Sequence, residues 1–359
     1  MKTKRLYLTL FLSCLIAAVV LAGCASVEWQ PVTLKDEGDI CWPQGPDCKV
    51  RYAGEIRAFE PTGRSLLTII AGKSPDGKIL RPVAVTMGPD GCMAIADQAR
   101  QGVHLYTPAR KEYRMIAMAG KQERLASPVG VAFDDAANLY VTDSQINKIV
   151  IYDANGNYLK SISEANGKPL GRPTGITFNP LDNRLYVSDT LSHRILVFSR
   201  LGEFITAIGS RGEKTGSLNF PTHLGSDPAG NIYISDSMNF RAQIHNPDNG
   251  MWSAFGHHGN GSGDFASPKG IDADANGFIY VAETLFDNVQ IFDRKGTYLL
   301  GIGSQGNGPG QFWMPSGLFI DPASNLLYVC DTYNQRIQIF ELLTGTPSQK
   351  TPMQRGAVQ

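Results

Sequence analysis

One phrase recurs six times along this chain, and that recurrence limits what it can fold into more than any other feature. In its fullest copies it reads Pro315-Ser316-Gly317-Leu318-Phe319-Ile320-Asp321, then Asn325-Leu326-Leu327-Tyr328-Val329-Cys330-Asp331, then Arg336-Ile337-Gln338-Ile339-Phe340. The prolines that open it are Pro82, Pro128, Pro173, Pro221, Pro268 and Pro315, spaced 46, 45, 48, 47 and 47 residues apart. The acids that close its second segment are Asp97, Asp143, Asp189, Asp236, Glu283 and Asp331, spaced 46, 46, 47, 47 and 48. Within each unit, short runs such as Ile232-Tyr233-Ile234 are β-branched and aromatic and are bounded by Gly, Asp, Asn and Pro, the composition of strands. A fourth run follows in Glu203 to Gly209 and in Thr297 to Gly303. Four strands at this period make one blade, and no single blade can bury both its faces, so the units must stack. The sequence predicts an all-β fold, a six-bladed β-propeller of four-stranded blades.

Ring closure assigns the flanking segments. After Phe340 the chain runs into Thr344-Gly345-Thr346-Pro347-Ser348, so blade six lacks a fourth strand of its own. Val50-Arg51-Tyr52-Ala53-Gly54-Glu55-Ile56 can supply it, which would lock the ring and remove exposed sheet edges. The propeller is thus assigned to residues 50–342 and a polar tail to 343–359. Residues 24–49 are expected to be a flexible tether, with a reach of about 70 Å if extended near 3 Å per residue.

The pattern P-x-G-φ-x-x-D, G-N-φ-Y-φ-x-D, N-x-R-φ-Q-φ-F (φ, apolar) resembles the NHL repeat over roughly Arg81 to Phe340. The first unit departs from it, with Met93-Ala94-Ile95 in place of the tyrosine strand and Gly102 in place of the basic residue.

The N-terminus has the parts of an export signal: Lys2, Lys4 and Arg5, an apolar run from Leu6 to Leu21, then small residues. About 16 apolar residues fall short of the roughly 20 needed to span hydrocarbon. The run ends in Leu21-Ala22-Gly23-Cys24, which resembles the lipobox of bacterial lipoproteins; residues 1–23 are the expected signal peptide and Cys24 the expected lipidation site. Several acyl chains on one residue anchor firmly where a single chain holds only marginally. Ser26, two residues after Cys24, rather than Asp there, favours the outer membrane of a Gram-negative envelope over the inner one. Lys plus Arg and Asp plus Glu both number 33, and loss of the three leader cations leaves a mature chain near −3, which is no footprint for nucleic acid. In an oxidising compartment Cys41 and Cys48 could close a small loop, while Cys92 and Cys330 lie in different repeats and read as small buried residues.

The six acids suggest a metal funnel, but each lies at a strand-to-turn junction where a carboxylate accepts backbone hydrogen bonds, and Lys148, Arg194, Arg241 and Arg336 follow five residues later in their units. A repeated acid-to-base bridge closing each turn is the expectation. The glycine-rich links, such as Gly256-His257-His258-Gly259-Asn260-Gly261, run into the next blade's proline rather than into a helix and so are turns, not phosphate loops. Departures from the repeat are better clues. His223 replaces the inner-strand glycine in Pro221-Thr222-His223-Leu224, and His257 with His258 replaces the Ser-Arg and Ser-Gln of sister links. Links and inner-strand starts open on one face beside the channel, so these histidines are expected to converge. With Arg241 and Glu283 they form the candidate ligand or metal set.

Three function classes follow from the fold: a binding or scaffold surface for a protein or small ligand, a metal-dependent lyase or lactonase-like hydrolase acting in the channel, and a structural envelope component. The first is the leading reading. It carries no catalytic residue and no cofactor, a membrane partner through the lipid, and a monomeric state. A divalent metal in the channel belongs to the second.

Overall fold

The computed structural model describes residues 28–34, 40–62 and 77–343. Five antiparallel sheets of four strands and one larger sheet make the ring. Blade four is representative: its innermost strand Pro221–Ser226 pairs with Ile232–Asp236, which pairs with Arg241–His245, which pairs with Trp252–Phe255. Among the described residues, helix is confined to two short 3-10 turns, Thr190–Ser192 and Ser237–Asn239. No helix among the described residues is long and apolar enough to cross a membrane.

The alternation of the second strand explains the stacking. Successive side chains on a strand point to opposite faces, so Ile232 and Ile234 join the core shared with blade three, and Tyr233 joins the core shared with blade five. The same tyrosine recurs as Tyr140, Tyr186, Tyr280 and Tyr328, each in the core facing the next blade, and Ala94 takes its place in blade one. Six such cores occur, one per interface, and each fully buried Ile, Val or Phe contributes about 1.5–3 kcal/mol. Near the axis the inner strands crowd one another. A Cβ on Gly175 would lie 2.5 Å from the Thr222 carbonyl oxygen, and one on Gly270 would lie 2.5 Å from the Ser316 carbonyl oxygen, so only glycine fits.

The ring closes as the sequence required. Val50–Pro61 pairs with Arg336–Leu342, running from Ile56 opposite Ile337 to Val50 opposite Leu342. Arg336, with a side chain 1% exposed, donates to Asp331 of its own blade and to Glu55 of the N-terminal strand.

The expected flexible tether is corrected over most of its length. Trp29–Leu34 pairs with the far edge of Val50–Pro61, and Cys41–Trp42 also pairs with that strand. Trp29 stacks beside Tyr113 of blade one at 4.8 Å, and its backbone carbonyl accepts from the Tyr106 hydroxyl. The physical reason is the edge itself: a closing strand that pairs on one side only still presents unpaired backbone groups on the other. Cys41 and Cys48 form a disulfide, and the loop between them sets Trp42 against Phe340. Cys92 and Cys330 are free and buried. The leader, Cys24 and all but the first residue of the polar tail lie outside the described residues.

Candidate functional site

The six acids are structural. Each side chain is fully buried and bonded to nearby N–H groups. Asp97 accepts from the backbone of Leu80, Arg81 and Arg100; Asp143 from Ala126, Ser127, Gln145 and Ile146; Glu283 from Ala266, Ser267 and Leu285. The expected bridges form at Arg194–Asp189, Arg241–Asp236 and Arg336–Asp331. Lys148 differs, pairing with Glu123 at 2.5 Å instead of Asp143, whose oxygens the backbone already occupies. Two members of the candidate ligand set therefore fall out. Arg241 is committed to Asp236 and to the carbonyls of Glu213, Lys214 and Ser217, and burial keeps the Glu283 carboxyl above its ordinary pKa against its three backbone donors.

Blade one shows what that lattice requires. Where Gln243 and Gln338 donate to their acids, His104 stands instead, with Nε2 3.2 Å from Asp97 and Nδ1 3.0 Å from the Tyr113 hydroxyl. Burial alone would raise the Asp97 pKa, but the bonds from His104 and the backbone hold it below its usual value.

The three candidate histidines do not converge. His257 is exposed and lies 3.2 Å from Asp264, and His258 is exposed beside Phe240 at 4.4 Å. His223 alone lines the axial channel, a cavity of about 520 Å³ that opens at the turns following the inner strands. Neither of its ring nitrogens has a hydrogen-bond partner among the described residues, and burial, with the charge of Lys269, pushes its pKa down to about 3. Asp272, also on the channel wall, accepts from the backbone of Ile320 and Ala273 in blades six and five; burial raises it to about 7. Among the described residues no three His, Cys, Asp or Glu side chains come together, so the donor set does not fit a channel metal.

The opposite end of the channel carries a different constellation. Lys269 stands just above Gly270, at the position occupied by Val83, Val129, Thr174, Thr222 and Ser316 in the other blades. It is half-buried, and no hydrogen bond or ion pair among the described residues holds its ammonium. Burial and then the charge of Arg81 lower its pKa, and Glu283 offsets them only in part. Arg81, just ahead of the blade-one proline, lies over the Tyr333 ring at 5.6 Å, and Tyr333 lies 5.5 Å from Trp313. Tyr333 is 44% and Trp313 50% exposed, so blade six presents an open aromatic pair beside Arg81, with Lys269 of blade five near enough to feel that charge. The sequence reading missed this group. The signal was a lysine in the Pro-x-Gly phrase, a departure of the same kind as His223.

Such a channel, with blades around it, defines a β-propeller. A family model described as a 6-bladed beta-propeller matches residues 273–354. A gluconolactonase of Zymomonas mobilis is 24% identical over 196 residues, 49% of this chain and 53% of that protein, so the chain spans about half the length of this curated relative. Among solved structures, a virginiamycin B lyase from Staphylococcus aureus matches 73% of this chain and 95% of its own at TM-score 0.54 and 14% identity. An auxiliary nutrient binding protein from Bacteroides thetaiotaomicron covers 74% of this chain and 70% of its own at TM-score 0.57 and 12% identity. At these identities the likeness to the solved structures shows the fold alone.

Proposed function

We propose that this chain is a lipid-anchored envelope protein whose propeller binds a small organic anion with a flat apolar body, taken between Lys269, Arg81 and the Trp313–Tyr333 pair. One observation carries the reading: Lys269 and Arg81 repel each other, and Glu283, its carboxylate already bonded to three backbone N–H groups, offsets that repulsion only in part. Holding the half-buried Lys269 beside the exposed Arg81 is unfavourable until a counter-charge joins them, and a carboxylate between the two would relieve both. The exposed rings beside them offer a stacking face for the rest of the ligand. The lyase or lactonase alternative loses ground because the channel does not gather a metal-binding donor set. Anchoring rests on the Leu21-Ala22-Gly23-Cys24 motif, and Ser26 points to the outer membrane. Incorporation of labelled palmitate, lost in Cys24→Ala, tests it.

The binding reading is tested by isothermal titration with benzoate and phenylacetate against the wild type and Lys269→Met. A charge-assisted hydrogen bond contributes roughly 1.5–3 kcal/mol, so the variant should bind about 10- to 100-fold more weakly. Equal affinity in Lys269→Met, or no heat from either carboxylate, overturns it.

A further inference from the structure

The second residue of the Pro-x-Gly phrase makes a structural hydrogen bond in three of the sister blades. Thr174 bonds the Thr222 carbonyl at 2.8 Å and the Thr190 hydroxyl at 2.7 Å. Thr222 bonds the Ser237 hydroxyl at 2.6 Å, and Ser316 bonds the Val83 carbonyl at 3.2 Å and the Thr332 hydroxyl at 2.8 Å. Val83 and Val129 fill the same position with short apolar side chains. Lys269 stands there in blade five and takes no part in this bonding. Thr284, the counterpart of Thr190 and Thr332, donates to the Pro315 carbonyl at 2.7 Å without it. The contact between blades five and six is thus made at this level without the lysine head group, which is released from holding the ring.

Lys269 is half-buried, yet its Nζ is open to solvent, unlike the sealed ring nitrogens of His223. Its surroundings bear on its charge in opposite senses. Burial and the Arg81 guanidinium favour the neutral amine. Glu283 opposes them, but its carboxylate is held by the backbone of Ala266, Ser267 and Leu285 and forms no ion pair with the lysine. His223, with a pKa near 3, is uncharged at neutral pH. A lysine that is partly desolvated beside another cation, and whose ammonium no acceptor holds, yields its lone pair readily, and that is the condition for attack on a carbonyl carbon.

We infer that Lys269 is a nucleophile and that the ligand class of this site is an aromatic α-oxo acid, captured as an imine. The inference rests on the anion-binding reading of the same site and deepens it. The acid sets its carboxylate on Arg81 and its ring against Trp313 and Tyr333, which lie 5.5 Å apart, with Arg81 5.6 Å over the Tyr333 ring. In an α-oxo acid the carbonyl carbon adjoins that carboxylate, so it is presented to the neighbouring amine. Nζ attacks the carbon, a C–N bond forms, and the carbonyl oxygen takes up the proton the nitrogen releases. The carbinolamine then loses its hydroxyl with the remaining nitrogen proton as water, leaving C=N. One amine and one carbonyl become one imine and one water, with no oxidation or reduction. When the imine is protonated, its charge sits beside the acid's own carboxylate.

The full chain is incubated with phenylglyoxylate, which cannot enolise, and cyanoborohydride, which reduces an imine to a stable secondary amine. Adducts are then located by peptide mass spectrometry, with exposed Lys295 as the internal reference. Lys269 should carry at least about tenfold more adduct than Lys295, the low end of what holding a carbonyl against an amine supplies. Its labelling should reach half-maximum at a lower pH than that of Nα-acetyl-lysine in the same mixture, and excess benzoate should protect it. Equal labelling of the two lysines, or a pH profile that coincides with that of the free amino acid derivative, overturns the inference, while heat from benzoate would still uphold anion binding. Labelling of Lys269 that benzoate does not compete overturns the shared site and with it the oxo-acid assignment. Both lysines are in one molecule, so the test depends on no variant folding.

Discussion

Arg336 and Arg241 occupy the same position of the repeat, yet their removal should have different consequences. Both donate Nε to the acid of their own blade and terminal N–H groups to carbonyls of the preceding link. Arg336 alone adds a second carboxylate, Glu55, at 2.5 Å, with both side chains almost fully buried. In Arg241→Met one buried carboxylate loses a donor, and Asp236 keeps those from Asn219, Asn239 and Gln243. In Arg336→Met two lose one, and Glu55 retains Arg57, whose side chain is 42% exposed, and Tyr52. Breaking a buried ion pair from one side costs about 3–5 kcal/mol, and one charge-assisted bond roughly 1.5–3. Arg336→Met should therefore lose about 2 kcal/mol more than Arg241→Met. With an m-value of about 3 kcal/mol/M the urea midpoints should differ by roughly 0.7 M. Glu55→Gln added to Arg336→Met should recover part of the loss, since it removes the stranded charge. Coincident midpoints, or a larger loss in Arg241→Met, would refute the claim that the clasp is held electrostatically.

Two further outcomes follow. Gly175→Ala should cost at least about 1–3 kcal/mol by thermal unfolding, because its Cβ meets backbone, whereas His223→Gly at the equivalent position of blade four should cost less than about 1 kcal/mol, since it removes two unpartnered nitrogens; similar losses in both would contradict the crowding argument. Asp272, raised from 3.8 to about 7 by burial, binds its proton more tightly folded than unfolded, so the stability it lends is full below about pH 4 and is lost as pH rises through 7. About three pKa units correspond to roughly 4 kcal/mol. The stability of Asp272→Asn relative to wild type should therefore improve by up to that amount between pH 4 and pH 8, and a pH-independent difference in urea titrations would count against it.

The ring, the blade count and the closing strand were legible because each rests on a local pattern repeated at fixed period. Trp29–Leu34 was not, since Trp29-Gln30-Pro31-Val32-Thr33-Leu34 is a strand only through the free edge it meets after closure. The acids read correctly as structural because their strand-end position and following bases state the bonding pattern. The histidines misled: residue type alone gave no account of Phe240 and Asp264, which occupy His258 and His257. Lys269 was visible as a departure, but its meaning depends on Arg81 and Tyr333, which closure brings together from opposite ends of the repeat array.

The clasp also sets a schedule. Arg51 and Glu341 are 290 positions apart, and Glu55 and Arg336 are 281 apart, so the last blade cannot be completed before nearly the whole chain is present. Contacts of such separation are reached late and slowly, after the entropy of closing a long loop has been met. A ring that only its C-terminal strand can shut stays open until synthesis is nearly complete, and the export proposed above would call for just such a delay.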